Sequence, residues 1–195
     1  MNKAEIVSCL RLKKTQVDKI DLYLKSITNQ NKHINLVGKS TIENFWERHV
    51  LDCLQLKNYI KNKKSKILDL GTGAGLPGVL FSIAGYKNVL MIDSIKKKTD
   101  FIKKTIKELS LSASVLNTRI ENPSLSQQDV IVSRALAPLT KLLSYALIHS
   151  NKNTTSLFLK GRNVNNEITN AMQNFIFEYK KFKSISEGGG CVLRI

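Results

Sequence analysis

The chain has 195 residues, 42% of them hydrophobic, with 31 Lys and Arg against 15 Asp and Glu for a formal charge of +16. That length suits one domain, or one domain with a small extension, and that apolar content excludes a disordered chain. No run approaches the roughly 20 apolar residues of a membrane span. The first residues, MNKAEIVSCLRLKK, lack the apolar region of a secretory signal. The three cysteines, Cys9, Cys53 and Cys191, stand far apart with no CxxC pair, so no disulfide framework is read and a cytoplasmic location is expected. The charge admits two explanations. One is a polyanionic partner, nucleic acid above all. The other is compositional, because lysine outnumbers arginine 25 to 6 and serves as surface filler.

In chain order, Val17, Ile20, Leu24 and Ile27 recur at helical spacing and predict an amphipathic helix over 15–30. Ile42, Phe45, Trp46, Val50 and Leu54 predict another over 41–60. After the basic link KNKKSK the pattern changes. KILDL (66–70), NVLMID (88–93), ASVLNT (113–118), DVIVS (129–133) and TSLFLK (155–160) read as strands. LPGVLFSIA (76–84), 95–109, 138–149 and 164–178 read as helices, with Pro77 tolerated near a first turn. FKSIS and CVLRI close the chain as a hairpin across Gly188–Gly190. Alternating strands and helices imply a mostly parallel, doubly wound α/β sheet over 63–195, with residues 1–62 as an N-terminal helical extension packed on it.

The stretch DLGTGAGLPG (69–78) follows the first strand and must admit something close to the backbone. A P-loop would need Lys and Ser or Thr after Gly78, where Val79 and Leu80 stand. A dinucleotide fingerprint would need a third glycine where Leu76 stands. The loop is GxGxG, through Gly71, Gly73 and Gly75, after a strand carrying Asp69, the habit of S-adenosylmethionine sites. Asp69 would then face the ammonium of the cofactor's amino-acid end. Asp93 ends the second strand 22 residues after Gly71, near the spacing of about 20 expected for a carboxylate that accepts from ribose hydroxyls. It could instead merely cap the helix that starts at Ile95.

These motifs, in this order, resemble one family, the bacterial small-subunit ribosomal RNA guanine-N7 methyltransferases, or glucose-inhibited division protein B family. The matching stretches are NKHINLVG (31–38), RHVLDC (48–53), DLGTGAGLPG (69–78), IDSIKKKTDFI (92–102), RIEN (119–122), VSRALAPL (132–139) and LKG (159–161). The resemblance implies a Rossmann-like class I methyltransferase fold, S-adenosylmethionine as cofactor, and 16S ribosomal RNA or the small ribosomal subunit as partner. It implies cofactor contacts at Gly71 and Leu76, the ribose ligand at Asp93, and Ile120 and Glu121 flanking the adenine. It places Arg134 between cofactor and substrate and His49 and Asp52 at the mouth of the site, the three as catalytic residues, and Lys97, Lys98, Arg119 and Lys160 against RNA. Cys53, Gln30 and Val37 depart from the family's usual Ser, Trp and Thr.

The residues themselves support RNA chemistry. Arg48, Arg119, Arg134 and Arg162 lie in or beside these motifs in a chain that otherwise uses lysine. Such positions suit a planar, bidentate donor, although a salt bridge would also explain Arg134. His49 and Asp52 share a helix face and could equally be a buried hydrogen-bonded pair. His33 and His149 fit no ligand spacing, so no metal is expected. The segment after the fourth strand reads SRALAPL, without the Pro-Pro-aromatic pattern of many amino-group methyltransferases. Guanine N7 has an in-plane lone pair and no proton, so it needs no general base, which matches a sequence without an evident one. A monomer is expected. A methyltransferase for a small molecule or a protein, a nicotinamide oxidoreductase and a non-enzymatic RNA-binding protein are the alternatives.

Overall fold

The computed structural model describes residues 1–122, 125, 127–186 and 188–195. Seven strands, β1 (Lys66–Leu70), β2 (Asn88–Asp93), β3 (Ala113–Asn117), β4 (Val130–Arg134), β5 (Thr155–Lys160), β6 (Lys180–Lys183) and β7 (Cys191–Arg194), form one sheet in the order β3-β2-β1-β4-β5-β7-β6. The first five are parallel, and β7 lies antiparallel between β5 and β6. The strand order therefore reverses between β1 and β4, where open α/β sheets open a crevice at their carboxyl ends. The closing hairpin is present, but its first strand is Lys180–Lys183 and stops within the expected FKSIS, with Lys183 opposite Cys191.

Side chains alternate across the sheet with a period of two, and this alternation makes two cores. Ile67, Met91, Val132, Leu157 and Val192 point to one face; Leu68, Ile92, Ile131, Phe158 and Leu193 point to the other. The second face is covered by α7 (Leu139–His149) and α8 (Val164–Met172). The first is covered by α5 (Gly78–Ile83) and α6 (Lys96–Glu108), and by the N-terminal helices as well. Ile20, Tyr23 and Ile27 of α2 (Lys14–Gln30) are fully buried in that core, together with Phe45, Leu51 and Leu54. Each such side chain contributes on the order of 1.5–3 kcal/mol through the apolar surface it removes from water. Local signals begin the helices. Asn2 and Glu5 form a reciprocal capping box on α1 (Lys3–Cys9). Gln16 accepts from Lys13 N at the start of α2, and its Nε2 donates to Ile83 O, tying α2 to the end of α5.

Three predicted elements differ. The helix expected over 41–60 is a series: α3 (Lys39–Ile42), a π-helical turn (Trp46–Leu51), a short α4 (Asp52–Leu54) and a 3-10 turn (Gln55–Tyr59). The apolar spacing holds, but polar groups of this segment answer a distant arginine, and a π turn widens the helix to let them do so. The helix expected from Leu76 begins at Gly78, because the amides of Gly75 and Leu76 both bond Thr72 O in a turn of their own. The helix expected over 164–178 ends at Met172, after which Phe175 and Phe177 pack against the second core from a non-helical segment. Among the described residues, no helix is long and apolar enough to cross a membrane.

Candidate active site

The glycine loop sits at the carboxyl end of β1, beside the switch point. Gly71 and Gly75 have φ of 62° and 98°, where any side chain would be strained. Space forbids one too. A Cβ at Gly71 would lie 2.4 Å from Leu136 Cδ1, and one at Gly75 would lie 2.5 Å from Val79 Cγ2 and 3.1 Å from the Tyr23 hydroxyl. Three side chains hold the loop in place. Asp69 Oδ2 accepts from Thr72 Oγ1 (2.5 Å) and Gly78 N (2.8 Å), joining the two ends of the loop. Asp93 Oδ2 accepts from Gly73 N (3.0 Å) and Oδ1 from Ile95 N (2.9 Å). The buried Tyr23 hydroxyl donates to Ala74 O (2.7 Å) at the crest.

Above the loop lies a cavity of about 580 Å³, within the usual range for a small-molecule site. Gly71, Gly73, Leu76, Asp93, Ile120, Glu121, Arg134, His49, Lys98 and Arg119 all line it, so ten of the expected residues converge. Asp93 does not cap the following helix, whose N-cap is Ile95 without a side-chain cap bond; it bonds the amide of Ile95 and also faces the cavity, since a carboxylate has acceptor sites for more than two donors. Ile120 is fixed from behind: the fully buried His149 lies with Nε2 2.7 Å from Ile120 O, an interaction the sequence did not suggest. Asp69 and Gly75 do not line the cavity; they shape the loop from beneath. Burial pushes the Asp69 carboxyl up to about 7, against the downward pull of its Thr72 and Gly78 hydrogen bonds, and its Oδ1 is buried without a partner.

Arg134, at the end of β4, is held in three directions. Its Nε donates to Asp52 Oδ2 (3.0 Å), one terminal nitrogen donates to His49 Nδ1 (2.8 Å), and the other donates to Arg48 O (3.0 Å). The salt bridge that would have explained this arginine structurally is present, and the guanidinium still lines the cavity. Because arginine only donates, His49 Nδ1 must be an acceptor. The proton of the neutral ring then sits on Nε2 and is donated to Thr41 Oγ1 (2.8 Å), which donates to Gly38 O (2.7 Å). Burial, then the charges of Arg134 and Arg48, push His49 down to about 3, so it stays neutral. Asp52 Oδ1 accepts from Gln55 Nε2 (3.1 Å) and Ser186 Oγ (3.0 Å), drawing in the turn before β7. Cys53, one of the departures, is fully buried, and burial pushes its thiol well up; it remains a neutral packing group.

A second cavity of about 300 Å³ opens on the other side of Arg134, lined by Asp52, Lys160, Gly161, Ser186 and Gly188 among others. Lys160, expected against RNA, lines this cavity and is largely buried: its Nζ pairs with Glu167 Oε2 (2.5 Å) and donates to Ala137 O (3.0 Å). Lys97 is exposed on α6. Tyr23, Thr41, Gln55 and Ser186 were missed by the sequence reading. Only Tyr23 carried a signal, as a member of the buried stripe Ile20–Tyr23–Ile27.

The residues present fit S-adenosylmethionine: a carboxylate for a ribose, apolar Ile120 and Leu76 beside a base, and open space over Gly73, whose added Cβ would find only Gly71 O at 4.0 Å. Comparison with known proteins agrees. The model of the family described as rRNA small subunit methyltransferase G matches residues 16–191. A protein of that name from Orientia tsutsugamushi (strain Ikeda) is 38% identical over 178 residues, covering 91% of this chain and 89% of its own length. One from Paramagnetospirillum magneticum is 32% identical over 195 residues, covering 100% and 95%. Among solved structures, the magnesium protoporphyrin IX methyltransferase of Synechocystis, with bound SAM, superimposes with a TM-score of 0.64 at 10% identity over 93% of this chain and 96% of that one. A ribosomal protein L11 methylase from Lactobacillus delbrueckii gives 0.60 at 20% identity over 74% and 75%. The fold is thus the Rossmann-like class I methyltransferase fold, and the chain belongs to the rRNA small subunit methyltransferase G family.

Proposed function

We propose that the protein transfers a methyl group from S-adenosylmethionine to N7 of a guanine in the decoding-region loop of 16S ribosomal RNA, presented as free RNA or in the small subunit. The observation that carries this reading is the placement of Arg134 between two cavities, one built on the glycine loop and one open toward the C-terminal turn.

When bound, the cofactor supplies an electrophilic methyl group on a sulfonium. Asp93 would accept from the ribose hydroxyls while keeping Gly73 in place, and the backbone around Ile120 and Glu121 would flank the adenine. Asp69 sets the loop against the amino-acid end. Arg134 meets the incoming nucleotide. The positive charge moves from sulfur to the base during transfer and no proton is lost, so no residue needs to act as a base. His49 suits that conclusion: its acceptor nitrogen is taken by Arg134 and its donor by Thr41. His49 and Asp52 are positioning residues that aim Arg134. Rate enhancement then comes mainly from holding N7 in line with the methyl group at near-attack distance. The base must reach the site unstacked, as single-stranded RNA allows. Lys97, Lys98 and Arg119 guide the backbone. In this reading the enzyme is a cytoplasmic monomer that uses no metal ion.

Borohydride and aniline treatment of ribosomal RNA breaks the strand at N7-methylguanosine, and reverse transcription reads the break. Purified protein and S-adenosylmethionine should create that break in unmodified small subunits or RNA. An unbroken decoding-region loop after complete incubation would sink the assignment.

A further inference from the structure

Away from the active site, a third cavity of about 550 Å³ lies where the end of α1, the 3-10 turn Gln55–Tyr59, the link before β1 and the loop before β2 meet. Arg11, Lys57, Lys61 and Lys63 line it, and no carboxylate among the described residues does. Cations elsewhere do meet carboxylates, as Arg134 does Asp52, Lys160 does Glu167, Lys96 does Asp100 and Lys104 does Glu108.

We propose that this cavity holds a backbone phosphate of the RNA substrate, at a distance from the methyl-transfer site. The proposal rests on the assignment of RNA as the substrate. Two of the four cations are already oriented. Lys57 Nζ donates to Leu10 O (2.9 Å), and Lys63 Nζ donates to Ala84 O (2.8 Å) and stands 5.9 Å from the Tyr86 ring centroid. Each ammonium has three donors, so each keeps N–H groups for an anion. Lys57 is pushed down from its ordinary value by burial and by the charge of Lys63, the repulsion that a bound phosphate would relieve. The cavity also adjoins the catalytic half. Ile185 lines it, and the next residue, Ser186, lines the cavity beside Arg134 and bonds Asp52. One turn thus forms a wall of both, so an RNA seated at Arg134 has a basic depression on the other side of the same turn.

The wall carries its own reporter. Cys9 lines the cavity and is exposed, whereas Cys53 and Cys191 are buried. A maleimide should label Cys9 quickly in the free protein and at least about fivefold more slowly with an RNA fragment containing the decoding-region loop, whose phosphates the lysines would neutralise. Inorganic phosphate alone should protect weakly. Protection by phosphate without protection by RNA would assign the cavity to a free anion, and no protection by either would leave it empty of function; both overturn the proposal.

The double variant Arg11→Gln/Lys61→Gln changes two exposed side chains and spares the lysines bonded to carbonyls. Its KM for the ribosomal substrate should rise about 5- to 20-fold, its kcat should stay near that of the wild type, and the slope of log affinity against log salt should fall by about 1. Lys107→Gln/Lys152→Gln removes the same charge elsewhere and should leave KM within about twofold, as expected for charges outside the contact. Equal effects from both pairs would reduce the proposal to net charge and overturn it. A wild-type protein that fails to methylate the RNA sinks the underlying reading; a methylating wild type with an unaffected Arg11/Lys61 variant sinks this inference alone.

Discussion

The two halves of the sheet's carboxyl edge are built differently. Over β1 and β2, the loop is held by residues near it in sequence: Asp69 bonds Thr72 and Gly78, and Asp93 bonds Ile95 and, across one helix, Gly73. Over β4 and β5, Arg134 is held by Arg48, His49 and Asp52, which lie more than 80 positions away, and Asp52 is held in turn by Ser186. The first half is a local motif. The second exists only once the N-terminal helices and the C-terminal turn have both packed. Tyr23 is the exception that joins them, reaching from α2 to the crest of the glycine loop.

Arg134→Ala should separate the halves most strongly. If Arg134 belongs to the substrate half, single-turnover methylation should fall by at least about 100-fold, the scale of losing a preorganised charged donor. Affinity for S-adenosylhomocysteine, measured by calorimetry, should change only several-fold. Stability should also fall by about 1–3 kcal/mol in urea, because Asp52 and His49 lose their partner while partly or wholly buried. A cofactor affinity that collapses along with activity would mean that the two halves are one site.

Proton linkage distinguishes the halves by opposite signs. His49 is pushed down from 6.5 to about 3, so as the pH falls the unfolded chain takes up the proton first. Its contribution to stability is complete above about pH 6.5 and is lost as the pH falls toward 3, on the order of 4 kcal/mol in all. Asp69 is pushed up from 3.8 to about 7, so as the pH rises the unfolded chain releases the proton first. Stability is then lost between about pH 4 and pH 7, again on the order of 4 kcal/mol. His49→Gln should flatten the acid side of the stability profile, and Asp69→Asn should flatten the neutral side and raise stability at pH 8 while weakening cofactor binding. Urea midpoints across pH report both; a profile that neither change alters would contradict the burial assigned to these groups.

Smaller effects are expected at the edges of both halves. Tyr23→Phe removes one donor to Ala74 O and should weaken S-adenosylhomocysteine binding about fivefold, near 1 kcal/mol. Unchanged binding would make the helical segment a bystander to the loop. Arg119→Gln should lower the salt slope of RNA binding by about 0.7, whereas Lys160→Gln should leave it unaltered, since that ammonium is engaged by Glu167. The reverse result would return Lys160 to the RNA surface.

The same division explains how much was legible in the sequence. The five parallel strands, the glycine loop and Asp93 are set by period-two alternation, glycine spacing and short-range geometry, all of which act over a few residues. The family resemblance brought Arg134, His49 and Asp52 into view, but not the way they bond. Residue spacing could place His49 and Asp52 on one helix face; it could not show that the face would meet Arg134 across the sheet's edge. Nor could it show that Lys160 would turn inward to Glu167, a residue of the next helix. Ser186 was hidden for the same reason, as a loop serine with no local pattern and a partner 134 positions away.

The π-helical turn at Trp46–Leu51 gives the site a sensitivity of another kind. Such a turn amounts to an α-helix with one residue too many. Removing one residue within it would let the turn close to ordinary α winding, and five residues at about 100° each turn the chain almost as far as six in the wider turn, so the flanking segments would keep their orientation while the groups inside the turn would be re-aimed. Thr41, Asp52 and Gln55 would stay near their places, while His49 and the Arg48 carbonyl, inside the turn, would lose their aim at Arg134. If Val50 were the residue removed, no substitution table would flag the damage, because Arg48, His49 and Asp52 would all still be there. The site is therefore encoded in chain length as well as in residue identity, and a deletion of one codon here should abolish activity as thoroughly as losing the arginine itself.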